Sequence, residues 1–462
     1  MTKKPLVVAM AMVFSTAAYA QPTKAVTEFD EVLVTATRIS EKSSDTSRSV
    51  TVVTEEKMQE SQPASVADAL KNEANVTVTN GPRASSQGVE IRGLSGQRVL
   101  QTIDGARQNT NSGHRGTFLM DPELLSSIEV VRGPASSLWG SGAIGGVVAQ
   151  NTKSAQDFLE QDDTFGGYVK QGFETNGDKI KTSATVYGLA DQIDWLLSGS
   201  YHDSNNINIG NDQALQNSAS EASSGLAKLG WEPDDDQRLQ FSARFSDTDE
   251  LVPSNPSTNV GSSVPLVQRN TKDNNVTLDY HLNPADNALL NLNATLYWNH
   301  TDYDEDRITK NQIDSTQFET LGFGLNNSST FANTMLTYGI DGYKDSINTV
   351  RDDRGQIGER PDNIDGETTV WGAFTKADIA LTDTLALDAA VRYDTYQNDS
   401  NTLDLSSDDN AFTPSIGLVW KTMPWLTLSA RYDEAFRAPS LEEMYSTGSH
   451  YCIPSIPGFL PN

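Results

Sequence analysis

The sequence predicts a transmembrane antiparallel β-barrel behind a small mixed α/β domain, and three observations carry that prediction. From about residue 165 onward, segments of roughly ten residues alternate apolar and polar side chains. Their connections alternate between short turns and long polar loops, the asymmetry expected of a barrel whose two rims face different compartments. An export signal opens the chain, yet no later stretch approaches the ~20 consecutive apolar residues of a helical span, so any crossing must use strands.

The signal is read from Lys3 and Lys4 ahead of an apolar run from Leu6 to Ala18, with the small-x-small pattern Ala18-Tyr19-Ala20 placing the mature start at Gln21. Residues 21–45 form a polar extension that holds one short β-prone segment, Glu31-Val32-Leu33-Val34-Thr35-Ala36, an extended strand awaiting a partner edge. Residues 46–155 mix both element types. Val50 to Val53 reads as a strand, Ser65 as the cap of a helical run through Leu70, Asp121-Pro122-Glu123 as a helix start, and Ile128 to Val131 as a second strand.

In the third region, residues 165–462, Leu385, Leu387, Ala389, Val391 and Tyr393 alternate with Asp388, Ala390, Arg392 and Asp394. Leu426, Leu428, Ala430 and Tyr432 repeat the pattern, as do Leu290, Leu292, Ala294, Leu296 and Trp298, the last at the level of an interfacial aromatic girdle. Roughly thirteen such segments lie between Gly166 and Phe436. Short turns are expected at 283–286, 382–384 and 422–424, and long loops at 203–223, 248–272 and 345–366. By parity the segment after Phe436 emerges on the long-loop side. An odd strand number does not close a single-chain bacterial barrel, so the sequence reads as incomplete.

Composition narrows the function classes. A net charge of -28, from 62 acidic and 34 basic residues, argues against nucleic acid as a partner, because phosphate binding needs a basic face. Only 37% of residues are hydrophobic and mean hydropathy is -0.46, as expected where only alternate strand residues meet lipid. A lone Cys452 leaves no intrachain disulfide and no C-x-x-C site. Nothing resembles a Gly-x-Ser-x-Gly elbow or a His-Glu-x-x-His helix, so no enzyme chemistry is indicated.

Three stretches carry a family resemblance: Glu31 to Ala36; Glu90-Ile91-Arg92-Gly93-Leu94; and the long run from Val131 to Val147, which contains Arg132, Gly133, Pro134, Gly140, Gly142, Gly145 and Gly146. With these the chain resembles, from about residue 28 to its end, a TonB-dependent receptor. The resemblance implies a barrel of about 22 strands when complete, with about 13 present here, and a plug domain at 46–155. It implies a monomer in the outer membrane of a Gram-negative cell, in contact with outer-membrane lipid. Residues 31–36 become the TonB box, where an extended segment adds to a sheet edge of the TonB protein through backbone hydrogen bonds. The alternative for that segment is a linker left behind the signal. Gly140 to Gly146 lacks a Walker lysine and reads as a plug turn. Arg92 and Arg132 are expected to pair with plug or wall carboxylates, or else to be solvated.

The run Phe436-Arg437-Ala438-Pro439 is similar to the signature of the haem and haemoglobin branch, whose members carry a histidine between it and a downstream Asn-Pro-x-Leu element. His450 comes after it here, and His114 lies in a glycine-flanked loop, Gly113-His114-Arg115-Gly116. Imidazole nitrogen is the usual axial donor to haem iron, so one ligand from the plug and one from an outer loop would grip a porphyrin from both faces. Phe118, Tyr445 and Tyr451 are candidates to cover it, and either tyrosine could itself ligate iron. The expected cargo is haem, free or drawn from haemoglobin, with no catalytic cofactor and no metal beyond the haem iron. Rival expectations are a receptor for a ferric siderophore or corrinoid, and a passive porin or barrel-anchored adhesin. His202, His281 and His300 are expected to be solvated rim residues.

Overall fold

The computed structural model describes residues 33–34, 38, 41–42, 46–110, 113, 115–160, 162–355 and 360–447. The expected signal at residues 1–20, most of residues 31–36, His114, His450, Tyr451 and Cys452 lie outside the described residues.

The N-terminal part comprises β1 (Leu33–Val34), β2 (Glu41–Lys42), β3 (Ser49–Thr54), α1 (Glu55–Ser61), α2 (Val66–Ala69), β4 (Val76–Thr79), β5 (Gly88–Ile91), β6 (Val99–Ile103), β7 (Ala106–Gln108), β8 (Leu125–Arg132), α3 (Ser136–Trp139) and β9 (Gly146–Thr152). Its central sheet has the order β3-β8-β9-β6-β7, with β6 and β9 parallel and the other pairs antiparallel. Val53, Leu70, Ile91, Ile103, Leu124, Ile128 and Val148 belong to one buried cluster, which continues onto Leu196 and Leu226 of the second part. Removal of such side chains from water is worth about 1.5–3 kcal/mol each, and this cluster is what lets a short mixed domain hold its shape.

Local chemistry explains the elements. The Thr54 hydroxyl accepts from the Lys57 N–H at the start of α1, and Ser65 accepts from Asp68 at the start of α2. Asp121 caps as expected, but the helix it opens is a single 3-10 turn, Pro122–Leu124, because β8 begins at once and claims the backbone. The strand Leu33–Val34 does not stand free. Its register pairs Leu33 with Lys42 and Val34 with Glu41.

The second part is one antiparallel sheet of 13 strands, as many as the segments read from the sequence. They are β10 (Phe165–Glu174), β11 (Lys179–Ala190), β12 (Ile193–Ser204), β15 (Ser220–Asp234), β16 (Gln237–Pro253), β17 (Leu266–Leu282), β18 (Leu292–Arg307), β19 (Gln312–Phe331), β20 (Thr334–Asp352), β21 (Asp365–Thr382), β22 (Leu385–Ser400), β23 (Leu405–Met423) and β24 (Leu426–Asp433). A small hairpin, β13 (Asn208–Ile209) and β14 (Gln213–Ala214), decorates the loop after β12, and α4 (Leu441–Tyr445) comes after β24.

The sheet is inverted relative to a soluble protein. On β22, Arg392 is 1% exposed and Asp394 fully buried, while Tyr393 between them is 48% exposed. The polar face therefore packs inward on the plug, and the apolar face is left for lipid.

Several connections differ in length from expectation. The loops expected at 248–272 and 345–366 shrink to 254–265 and 353–364, because β16, β17, β20 and β21 run on past their apolar stretch. Beyond the apolar stretch both faces of the strand carry polar side chains, so apolar alternation disappears while the hydrogen-bond ladder continues, as through Thr248-Asp249-Glu250, where Asp249 is exposed and Glu250 buried inward. The turn expected at 283–286 lengthens to 283–291.

Candidate functional site

The plug is attached to the wall around α3. Arg392 of β22 reaches the Asp341 carboxylate of β20 through two bonds of 2.7 Å, holds Asp394 at 2.7 Å, and donates to the Leu138 carbonyl of α3 at 3.3 Å. Gly140 explains itself here. A side chain at that position would come within 2.9 Å of Asp394 Oδ1 and 3.0 Å of the Arg392 guanidinium, so only glycine lets the plug seat on this charged knot. Arg38, just beyond residues 31–36, joins the same knot. It lies 2.9 Å from Asp341 and 4.4 Å from the Trp139 ring centroid.

The Phe436-Arg437-Ala438-Pro439 run is a seam onto the plug. The Phe436 carbonyl accepts from the Gly142 N–H at 3.1 Å, the Ala438 N–H donates to Ser141 Oγ at 2.9 Å, and Arg437 donates to Gln97 at 2.7 Å while pairing with Glu443 at 2.6 Å. The outer segment that leads toward His450 is thereby fixed to the glycine turn at Gly140 to Gly142.

This seam borders a cavity of about 160 Å³. Its plug wall includes Gln101, Asn109, Thr110 and Thr117, its barrel wall Tyr343, Asp345 and Ile347, and its outer rim Arg437, Pro439 and Glu442. Burial pushes the Glu442 carboxyl up. The residues flanking His114 on one side and the segment leading to His450 on the other thus border one space.

The loop that carries His114 is anchored through that residue's C-terminal neighbours. Arg115 forks onto Glu305 at 2.7 and 3.1 Å, and Glu305 also accepts from the buried Arg269 at 2.7 Å. Tyr303 Oη donates to the Gly116 carbonyl at 3.1 Å, and the Gly116 N–H donates to the Ser85 carbonyl at 2.9 Å. Removing one partner from such a buried ion pair costs about 3–5 kcal/mol.

Several expected residues stand elsewhere. Phe118 packs against the plug core instead of covering the cavity, since it comes directly after Thr117 in an extended segment and so faces the other way. Tyr445 packs with Ile347, Ile364 and Leu441, and its hydroxyl donates to the Asn398 carbonyl at 3.1 Å, so its phenol is engaged behind the cavity wall. Arg132 donates to Ser49 Oγ at 2.8 Å and to Thr51 Oγ1, hydroxyls of the neighbouring strand, rather than forming a carboxylate pair. Arg92 takes a positive φ of 52° and lies over Gly133, whose missing side chain makes the room. Gly93 has φ 84°, and Pro134 offers its carbonyl to Arg48 at 2.6 Å. Gly145 donates to the Arg98 carbonyl at 2.7 Å. His300 stacks on Trp298 at 5.7 Å, and His281 is half-buried with Nδ1 2.8 Å from Asn293 Oδ1.

One residue gave no signal in the sequence. Arg83, 4% exposed at the top of the plug, donates to four main-chain carbonyls: Gln216 and Asn217 of the loop before β15, and Pro256 and Thr258 of the loop before β17. A single guanidinium thus ties two outer loops to the plug.

A polar-lined, lipid-faced sheet of strands filled by a compact plug, with a recess on its long-loop side, defines a gated outer-membrane receptor. The chain belongs to the TonB-dependent receptor family: residues 42–147 match the TonB-dependent receptor plug domain, and residues 231–462 match the TonB-dependent receptor-like β-barrel. It is an outer-membrane protein. Among curated relatives, it is 34% identical over 434 residues to the heme/hemopexin utilization protein C of Haemophilus influenzae, covering 84% of this chain and 60% of that protein. It is 31% identical over 443 residues to the hemin receptor of Yersinia pestis, covering 93% and 63%. The chain therefore spans about 60% of the length of these relatives. Among solved structures, the hemophore receptor HasR of Serratia marcescens, in complex with its hemophore HasA and heme, matches with a TM-score of 0.79 at 24% identity, over 88% of this chain and 66% of that one. The FrpB iron transporter of Neisseria meningitidis matches with a TM-score of 0.76 at 22% identity, over 86% and 65%. These two likenesses speak to the fold alone.

Proposed function

We propose that this chain belongs to a receptor that binds haem at the cell surface and imports it into the periplasm, driven by the TonB protein acting on residues 31–36. The observation that carries the reading is the cavity bordered both by Thr110 and Thr117, which bracket the His114 loop, and by Arg437 to Glu442, which lead toward His450. The names of the relatives, a heme/hemopexin utilization protein and a hemin receptor, support haem as the cargo, free or taken from a carrier protein.

In this mechanism His114 and His450 supply imidazole to the iron. Arg115, held by Glu305, sets the position of the His114 loop, and the Phe436–Pro439 seam sets that of the other. Force on residues 31–36 reaches the plug through Arg38 and the Arg392–Asp341 knot beside α3. The receptor does no covalent chemistry on its cargo.

Titration of the purified full-length receptor with haemin should give a shifted Soret band. His114→Ala and His450→Ala together should abolish that shift and haem-dependent growth. A wild-type receptor that leaves the haemin spectrum unchanged sinks the cargo assignment, and a double variant that grows normally on haemin removes the two histidines from the site.

A further inference from the structure

Two cavities lie one below the other on the same side of the plug. The upper one is the candidate binding site. The lower, about 420 Å³, lies between β6, β9 and the inward faces of β17 to β20, and reaches down to His281, Asn291 and Asn326 near the short-turn ends of the strands. Arg107 and Tyr343 alone border both. The two spaces are therefore separated by a septum of side chains.

That septum is held by contacts within the plug and, across to the wall, by Tyr343 and Asp345. The Arg107 guanidinium lies 4.8 Å from the centroid of the Tyr343 ring. Its Nε donates to Asn109 Oδ1 at 2.9 Å, and its terminal nitrogens donate to the Trp139 and Ser141 carbonyls at the end of α3. Asn109 in turn donates to Asp345 of the wall at 2.6 Å. The Arg107 main chain is fixed separately, its carbonyl accepting from Asn299 at 2.7 Å, so the side chain can swing while the strand stays in place.

We propose that the lower cavity is a transit site for the porphyrin, and that Arg107 and Tyr343 form the gate above it. This rests on the haem reading. The chemistry of the lining suits a flat aromatic molecule with carboxylate arms and an iron centre. Trp139, Tyr297 and Tyr343 bring aromatic rings to the lining, Trp139 with one face under Arg38 and Tyr343 with one under Arg107, and Arg107 offers a cation at the top. The carboxylates that border the space are neutralised already: Asp341 by Arg38 at 2.9 Å and Arg392 at 2.7 Å, Asp104 by Lys228 at 3.3 Å. At the bottom, His281 directs Nδ1 to the Asn293 carbonyl oxygen, which fixes the proton on Nδ1 and leaves Nε2 as an iron donor. Ligand pockets typically enclose roughly 300–1,000 Å³, and the space, about 420 Å³, falls within that range.

Gly324 provides the test. It borders the lower cavity, and a side chain built there meets nothing within 4 Å, so Gly324→Trp fills the space without disturbing the wall. In the full-length receptor this variant should bind haemin at the surface with an unchanged Soret titration, while haemin uptake falls on the order of tenfold. Normal uptake by Gly324→Trp overturns the route. A second, transport-independent measurement uses Arg107→Ala, which opens the septum: haemin titration should reveal an additional equivalent that disappears in Arg107→Ala/His281→Ala. A stoichiometry unchanged by Arg107→Ala overturns the transit site. Failure of the wild-type receptor to bind haemin strikes the cargo reading instead, and is distinguished by having no surface titration at all.

Discussion

The Arg38 guanidinium sits 2.9 Å from the Asp341 carboxylate, against the Trp139 ring of the plug and the Phe374 ring of the wall. A residue close behind the segment proposed to be pulled is thus seated where plug and barrel meet.

Arg38→Gln should loosen that seat. A hydrogen bond to a charged group is worth about 1.5–3 kcal/mol, and since Asp341 keeps Arg392, the loss should fall toward the lower end. A nitroxide attached at Val34→Cys should show a more mobile electron-spin spectrum in the variant than in its parent. An unchanged spectrum means that Arg38 does not restrain the segment.

Arg83→Ala should free both outer loops together. Four carbonyls lose their donor at once, so hydrogen exchange in 205–219 and 254–265 should speed up by on the order of tenfold to a hundredfold. Arg83→Lys should not restore protection, because a compact ammonium cannot reach carbonyls on two loops as a fork does. Faster exchange in one loop only would contradict a shared clamp.

Acid should undock the plug through Asp121. Burial raises the pKa of this carboxyl, but the Lys181 charge at 2.5 Å, together with bonds from Lys181, Ser200 and the Glu123 N–H, outweighs it and brings the value to about 2 from 3.8. A depressed carboxylate contributes its stability above the unfolded pKa and loses it as pH falls through the folded one. The shift corresponds to about 2.5 kcal/mol, present above pH ~4 and lost between there and pH ~2. The unfolding midpoint of the plug should fall across that window, and Asp121→Asn should flatten the curve.

Gly146→Ala should disrupt the central plug sheet. Its φ is 151°, and an added Cβ would come within 2.1 Å of the Val131 carbonyl of β8. Overpacking of this kind typically costs about 1–3 kcal/mol. Gly81→Ala, also at positive φ but with nothing within 4 Å, should cost only the backbone term of about 1–2 kcal/mol. Equal effects of the two substitutions on thermal unfolding would refute the steric account.

The sheet was legible because lipid imposes a periodicity that survives in a single sequence, as Leu385 to Tyr393 shows. The strand ends beyond the apolar stretch were not, because Thr248 to Glu250 are polar on both faces, the buried Glu250 included, and carry no apolar pattern. Helix α1 was missed for a related reason: Met58 is its one buried residue, so it shows no apolar face. Arg38, Arg83 and Arg107 left no trace because each acts through partners far along the chain, such as Asn217 for Arg83, and lone arginines in polar stretches look alike. His281 was placed at a rim because it precedes a turn, and inward pointing on β17 gives it a different setting. The motifs at Val131 to Val147 and Phe436 to Pro439 were visible as patterns, but their work as two halves of one seam emerges only when Gly142 is seen to donate to Phe436.

The outward row of Trp371, Phe412, Trp420 and Tyr432, all about half exposed or more, also governs where the folded chain stays dispersed. In water such a surface would self-associate, so the folded sheet is protected from aggregation only where lipid covers that row. In the test tube the same row makes detergent a part of the molecule's native environment.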